Sequence, residues 1–211
     1  MKGRKKIAVL ISAAVLAVSL AACGSTAGSP DTGSTGSGST DTGSADTGNT
    51  DAENTGTEAQ GNILVAYFSY TGNTEEAAQQ IVEDTGGDLV RIERSEPYDD
   101  VQTEGEDELE SNARPEITVE PDSIDGYDTI FVGYPIWWDE APMVISTFLE
   151  SYDFSGKTIV PFCTSSSDSI DNSLHIFSEL APDAVIAEGL TANDDADIEP
   201  WLERLGVAAV Q

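Results

Sequence analysis

"ILVAYFSYTGNTEEAA", Ile63 to Ala78, decides the fold. Five apolar residues, Ile63–Tyr67, run unbroken into Phe68, the pattern of a strand buried on both faces. Six residues rich in hydroxyls follow, Ser69–Thr74, with one glycine, Gly72, and neither lysine nor arginine. Beyond them Ala77, Ala78, Ile81 and Val82 recur at helical spacing, which predicts a helix over Thr74–Asp84 with Asn73 or Thr74 as its N-cap. A strand, a short turn and a helix make the first half of a βαβ unit. Open sheets built from such units bind ligands outside the carboxyl ends of their strands.

The alternation continues along the chain. Asp88–Ile92, Thr129–Tyr134, Thr158–Cys163 and Ala184–Leu190 read as further strands, and Ala141–Tyr152, Ile170–Leu180 and Asp195–Leu205 as helices. Unbroken apolar strands separated by helices predict an α/β domain with a doubly wound, five-stranded parallel sheet covered on both faces. The acidic stretch Asp99–Ala113 fits an extra helix or a surface loop, and its composition does not choose between them.

The turn after the first strand can hold an anion without a basic side chain. A helix N-terminus presents free N–H groups and a partial positive charge. Ser69, Thr71 and Thr74 add hydroxyls, and Gly72 lets a ligand approach the backbone. The lysine of a triphosphate-binding loop is missing, and so are the further glycines of the dinucleotide fingerprint. The plain alternative is a capped turn that binds nothing. A second stretch, "GYPIWWDEAP" (Gly133–Pro142), ends the third strand with adjacent tryptophans. They either plug a core or form a wall for a flat aromatic ring, and their place beside the first loop favours the wall.

The pattern Ser-x-Thr-Gly-x-Thr after an N-terminal strand resembles the phosphate loop of flavodoxins. "GYPIWW" resembles the second flavin-contacting loop of a bacterial flavodoxin-like group, and "TFLESYDFSGKTIVPFCTS" (Thr147–Ser165) is similar to that group as well. The resemblance covers Asn62 to about Leu205. It implies a flavodoxin-like fold with strand order 2-1-3-4-5 and FMN as the cofactor. It also implies cofactor contacts through Ser69, Tyr70, Thr71, Gly72, Asn73 and Thr74 in the first loop and Pro135, Ile136, Trp137 and Trp138 in the second. The third loop would contribute Thr164, Ser165, Ser166, Ser167 and Asp168. That loop, "CTSSSDSIDNS" (Cys163–Ser173), carries serines, Asp168 and Asp171 where relatives carry glycines. Serine can still donate hydrogen bonds, but lost glycines restrict positive φ and added carboxylates repel an anionic flavin.

The N-terminus has another composition. Met1–Lys6 is basic, Ile7–Leu20 is apolar, and "LAAC" ends at Cys23. A basic start, a short apolar core and small residues predict a secretory signal over residues 1–22. "LAAC" resembles a bacterial lipobox, which implies Cys23 as a lipidated first mature residue and a lipid anchor on the extracytoplasmic face of the cell membrane. Two or three acyl chains would hold firmly. Residues 23–60 are almost wholly Gly, Ser, Thr, Asp, Asn, Ala and Glu and predict a tether, with a root-mean-square span of roughly 30 to 35 Å. Residues 61–211 form the folded, FMN-binding domain in this reading.

The net charge of −30 excludes nucleic acid as a partner and a basic membrane-binding face. Without the signal, the basic residues are Arg91, Arg94, Arg114, Lys157 and Arg204, against 39 acids. Cys163 ends an apolar strand and reads as a small buried filler. His175 is the single histidine and reads as a surface or packing residue, so neither a zinc site nor a Cys-His nucleophile pair is expected. Asp194, Asp195 and Asp197 lack the spacing of a calcium loop. The leading expectation is a non-covalent FMN protein that transfers electrons to redox partners with basic docking patches, with no catalytic side chain. An FMN-dependent NAD(P)H:quinone-type oxidoreductase and a non-redox binding module are the alternatives.

Overall fold

The structure, a computed structural model, describes residues 62–207. The expected signal, Cys23 and the tether lie outside the described residues. The chain runs through β1 (Ile63–Tyr67), α1 (Asn73–Thr85), β2 (Asp88–Arg91), β3 (Glu93–Arg94), α2 (Val101–Ser111) and β4 (Ile117–Thr118). β5 (Thr129–Pro135), α3 (Met143–Ser151), β6 (Thr158–Thr164), α4 (His175–Leu180), β7 (Val185–Ile186), β8 (Leu190–Thr191) and α5 (Ile198–Arg204) follow.

The main sheet is parallel, in the order β2-β1-β5-β6-β7, and β8 also pairs with β6. Counting β7 and β8 as one edge, this is the 2-1-3-4-5 order. β1 shows why its sequence has no polar position. Leu64 and Ala66 face a core shared with Val144, Ile145 and Phe148 of α3 and Phe177 of α4. Ile63, Val65 and Tyr67 face the other way, onto Ala77, Ala78 and Ile81 of α1 and Ile198, Trp201 and Leu202 of α5. Both faces are covered, so alternation gives way to a continuous apolar run. Gly133 of β5 lies beneath the ring of its β6 partner Phe162, where an added Cβ would fall 2.1 Å from Cζ.

The expected fifth strand, Ala184–Leu190, is two short strands. Ile159 pairs with Ile186, and Phe162 pairs with Leu190, so three steps on β6 face four on the edge. The extra residue is a bulge, and Pro161 explains it. The backbone oxygens of Ile159 and Cys163 accept from Ala187 and Ala192 on the edge, so the alternate residue Pro161 also faces that edge. It has no N–H to donate, and proline is tolerated in a sheet at such bulges.

The undecided stretch Asp99–Ala113 contains helix α2. Asp100 caps it by accepting from the Gln102 N–H, and Glu104 reaches back to the N–H groups of Asp99 and Asp100. The two carboxylates thus satisfy N–H groups in both directions, a variant of the capping box shifted by one residue. The buried positions of α2 are Gly105 and Glu108. Neither is a large apolar residue, so no hydrophobic stripe announced the helix. Sequence reading also missed the small antiparallel pair β3–β4. The expected helix Ile170–Leu180 divides into a 3-10 turn (Ile170–Asn172) and α4. Between them the buried Ser173 hydroxyl bonds the Ile170 carbonyl and the Tyr134 hydroxyl. The last expected helix likewise opens with a 3-10 turn, Asp195–Asp197, before α5.

Candidate functional site

The first loop leaves β1 at Phe68, whose N–H donates to the Gly133 carbonyl. Ser69 is buried, and its Oγ accepts the Gly72 N–H at 3.1 Å. That bond turns the chain so that Gly72 adopts φ +103°, a conformation open to glycine. Gly72, rather than Asn73 or Thr74, is therefore the N-cap of α1, and no side chain caps the helix. An added Cβ at Gly72 would meet nothing within 4 Å, so space opens beside the loop. Thr74 is buried, with its hydroxyl 2.9 Å from that of Thr164. The first and third loops are thereby joined by one hydroxyl pair.

Arg91, at the end of β2, supplies the charge missing from the loop's own sequence. Its Nη2 donates to the Ser69 carbonyl at 3.0 Å, and its Nη1 donates to Glu75 at 2.9 Å. The guanidinium also lies 5.7 Å from the centre of the Tyr67 ring. Tyr67 donates to the other Glu75 oxygen at 3.0 Å, and burial followed by that carboxylate raises its pKa.

The second loop is a two-residue hairpin. Trp137 and Glu140 exchange both backbone hydrogen bonds at 2.9 Å, and Trp138 and Asp139 sit at φ +50° and +65° between them. Positive φ at both central residues defines a type I′ turn, unusual for tryptophan. The hairpin separates the tryptophans. Trp137 packs edge-on against Phe68 at 5.5 Å and Tyr98 at 5.4 Å. Trp138 is 41% exposed and leans over Gly105 of α2, where an added Cβ would lie 3.0 Å from its ring. α2 is fixed beneath the pair by Glu108, which accepts from Arg94 at 3.0 Å and from the Tyr98 hydroxyl at 2.8 Å. Burial, then the Glu108 carboxylate, pushes the Tyr98 hydroxyl far above its ordinary pKa.

The third loop is held from inside. Ser165 Oγ accepts the N–H groups of Ser167 and Asp168, and the Asp168 carboxylate accepts from the hydroxyls of Ser165 and Ser167. Asn193 fixes its start by accepting the Ser165 N–H at 2.9 Å. No residue of this loop has positive φ, so its backbone does not require glycine.

One cleft of about 590 Å³ gathers parts of all three loops. Thr71 and Asn73 line it from the first loop, Pro135, Ile136 and Trp137 from the second, and Thr164, Ser165 and Ser166 from the third. Ser69, Tyr70, Gly72, Thr74, Trp138, Ser167 and Asp168 are not among its lining residues. Ser69 and Tyr70 border a neighbouring hollow of about 300 Å³ with Arg91 and Tyr98. Trp138 borders a separate groove of about 610 Å³ with His175 and Glu179. Sequence reasoning missed Asn193 and Asp195, which line the main cleft, and Arg91 and Tyr98 behind it. Arg91 was findable, since a residue ending the strand beside β1 must reach the same sheet edge.

Cys163 is fully buried, and burial pushes its thiol up to about 11, which removes it as a nucleophile at neutral pH. Among the described residues, no group of three His, Cys, Asp or Glu side chains could hold a metal ion.

The donor set fits a phosphate ester bearing a flat ring. It combines an uncapped helix start, open space at Gly72, hydroxyls on two sides and an indole wall. The carboxylates of Glu76 and Asp195, which also line the cleft, oppose it.

Residues 62–205 match the Flavodoxin family. No curated protein matches the chain. A candidate flavoprotein from Bacteroides eggerthii DSM 20697 is 40% identical, with 69% of this chain and 98% of that one covered and a TM-score of 0.64. Another from Bacteroides uniformis ATCC 8492 is 35% identical, with 68% and 98% covered and a TM-score of 0.63. A flavoprotein from Lactobacillus acidophilus NCFM, solved in complex with FMN, is 24% identical over 67% of this chain and 99% of that one, with a TM-score of 0.56. At that identity the likeness concerns the fold. With its family match spanning the whole sheet and its flanking helices, this chain belongs to the flavodoxin family.

Proposed function

We propose that the chain is a lipid-anchored, extracytoplasmic flavodoxin that binds FMN non-covalently and carries electrons between partner proteins. The observation that carries the FMN reading is the convergence of three loops on one cleft, into which the uncapped start of α1 opens. The N–H groups of the first turn of α1, with the Thr71 hydroxyl, would hold the phosphate. Trp137 would cover the ring, and Ser166 would bond its polar edge, the hydroxyls of Thr164 and Ser165 being engaged within the protein. FMN supplies one- or two-electron transfer when bound, and the protein supplies position and electrostatics. No side chain need act as an acid or base.

The anchor rests on "LAAC" at Cys23, and the tether composition supports reach from a membrane to several partners. The acidic surface supports partners with basic docking patches. With five basic residues outside the signal against 39 acids, the surface also offers little to hold the pyrophosphate of a pyridine dinucleotide. A carrier is therefore favoured over an NAD(P)H-dependent reductase.

Expression of the whole chain in a lipoprotein-processing bacterium tests both halves. The protein should fractionate with membranes, release FMN on denaturation, and lose membrane association in Cys23→Ser. Soluble wild-type protein would contradict the anchor. Membrane-bound protein that neither releases nor takes up FMN would contradict the cofactor.

A further inference from the structure

Glu75 is the third residue of α1, and Glu76 follows it. A carboxylate in the first turn of a helix is attracted by the same N–H groups that would bind an anion. A glutamate at this position commonly turns back to the N-cap N–H. Here the Gly72 N–H is taken by Ser69 Oγ. Both Glu75 oxygens are also engaged, one by the Tyr67 hydroxyl and the other by Arg91. The same guanidinium holds the Ser69 carbonyl where the loop begins. Only a planar fork can make both bonds at once, and a lysine ammonium can reach one partner well.

We infer that Arg91 is a positioning and specificity residue. By holding Glu75 aside and neutralising it, Arg91 keeps the start of α1 available to a phosphate and so sets the preference for a phosphorylated over an unphosphorylated flavin. This rests on the FMN reading above. The basis is the Arg91–Glu75–Tyr67 arrangement together with the uncapped helix start. The effect on phosphate binding runs through Glu75, while the Ser69 carbonyl and Glu93, 3.3 Å from Nε, hold the guanidinium in place.

The test uses the full chain carrying Cys23→Ser, titrated separately with FMN and riboflavin. Arg91→Gln should weaken FMN binding about tenfold, the scale of one unpaired charge near a dianion in partly screened surroundings. Riboflavin, which has no phosphate, should change less than about twofold. Glu75→Gln alone should leave FMN binding unchanged or tighter. The double variant should regain most of what Arg91→Gln lost, and Arg91→Lys should fall between. Equal losses for FMN and riboflavin would mean that Arg91 only supports the fold, and would overturn the inference. Failure of Glu75→Gln to restore binding would mean that Arg91 acts through another contact, the Ser69 carbonyl, Glu93 or the ligand itself, and would overturn it as well. No FMN binding by the parent chain would instead overturn the cofactor reading and the inference with it.

Discussion

The first and third loops border the same cleft with similar residues, yet they satisfy their backbones in opposite ways. The first bends through positive φ at Gly72 and leaves the start of α1 uncapped. The third has no positive φ and turns its own hydroxyls and carboxylate onto its own backbone and side chains. One loop is open toward a ligand, and the other is closed on itself. Serine and aspartate can replace glycine in a turn when local side-chain bonds take over the shaping of the backbone. The repulsion expected from Asp168 is moderated for the same reason, since two serine hydroxyls already donate to its carboxylate. Asp168 is also absent from the lining of the cleft.

The contrast can be broken at four points. Gly72→Val forces a branched side chain into φ +103°. It should weaken FMN binding roughly thirtyfold, the equivalent of about 2 kcal/mol of strain. An affinity within threefold of wild type would mean that the first loop is not the phosphate cradle. Thr74→Val and Thr164→Val each strand a buried hydroxyl. Urea unfolding should show each losing about 1 to 2 kcal/mol, and the double variant losing less than their sum. Strict additivity would show that the pair does not couple the loops.

Asp168→Asn should alter FMN affinity less than about threefold and raise the midpoint potential slightly, because removing a negative charge favours an added electron. A large gain in affinity would place this carboxylate against the ligand and end the contrast. The smallest effect is a pH dependence. His175 on α4 bonds Glu140 of the hairpin at 2.9 Å, and this carboxylate raises its pKa, with burial opposing and Glu179 adding. A raised folded pKa gives stability that is full below the ordinary value, about 6.5, and is lost as pH climbs through the raised one. Wild type should therefore exceed His175→Gln in stability by more at pH 5.5 than at pH 8.5. Parallel curves would remove the charged link between α4 and the hairpin.

These elements also mark how far the sequence could be read. β1, the loop after it and α1 were legible because burial on both sheet faces leaves a continuous apolar run. The edge strand was not, because its break answers to Pro161 on a different strand. α2 lacked a hydrophobic stripe since its inner face is Gly105 and Glu108, chosen to fit two indoles and an arginine. Trp137 and Trp138 looked like one wall, but the I′ turn sends one to the cleft and the other over α2. Asn193 reaches the third loop through space, from far along the chain, and no local pattern carries that information, whereas Arg91 follows only once the strand order is known.

The most direct measurement is an FMN titration of the Cys23→Ser chain, followed by flavin fluorescence, beside Gly72→Val and Trp137→Ala. Saturable, equimolar quenching by the parent chain and weaker binding by both variants are expected. No quenching at micromolar FMN, or quenching that neither substitution alters, would contradict the assignment of this cleft as the flavin site.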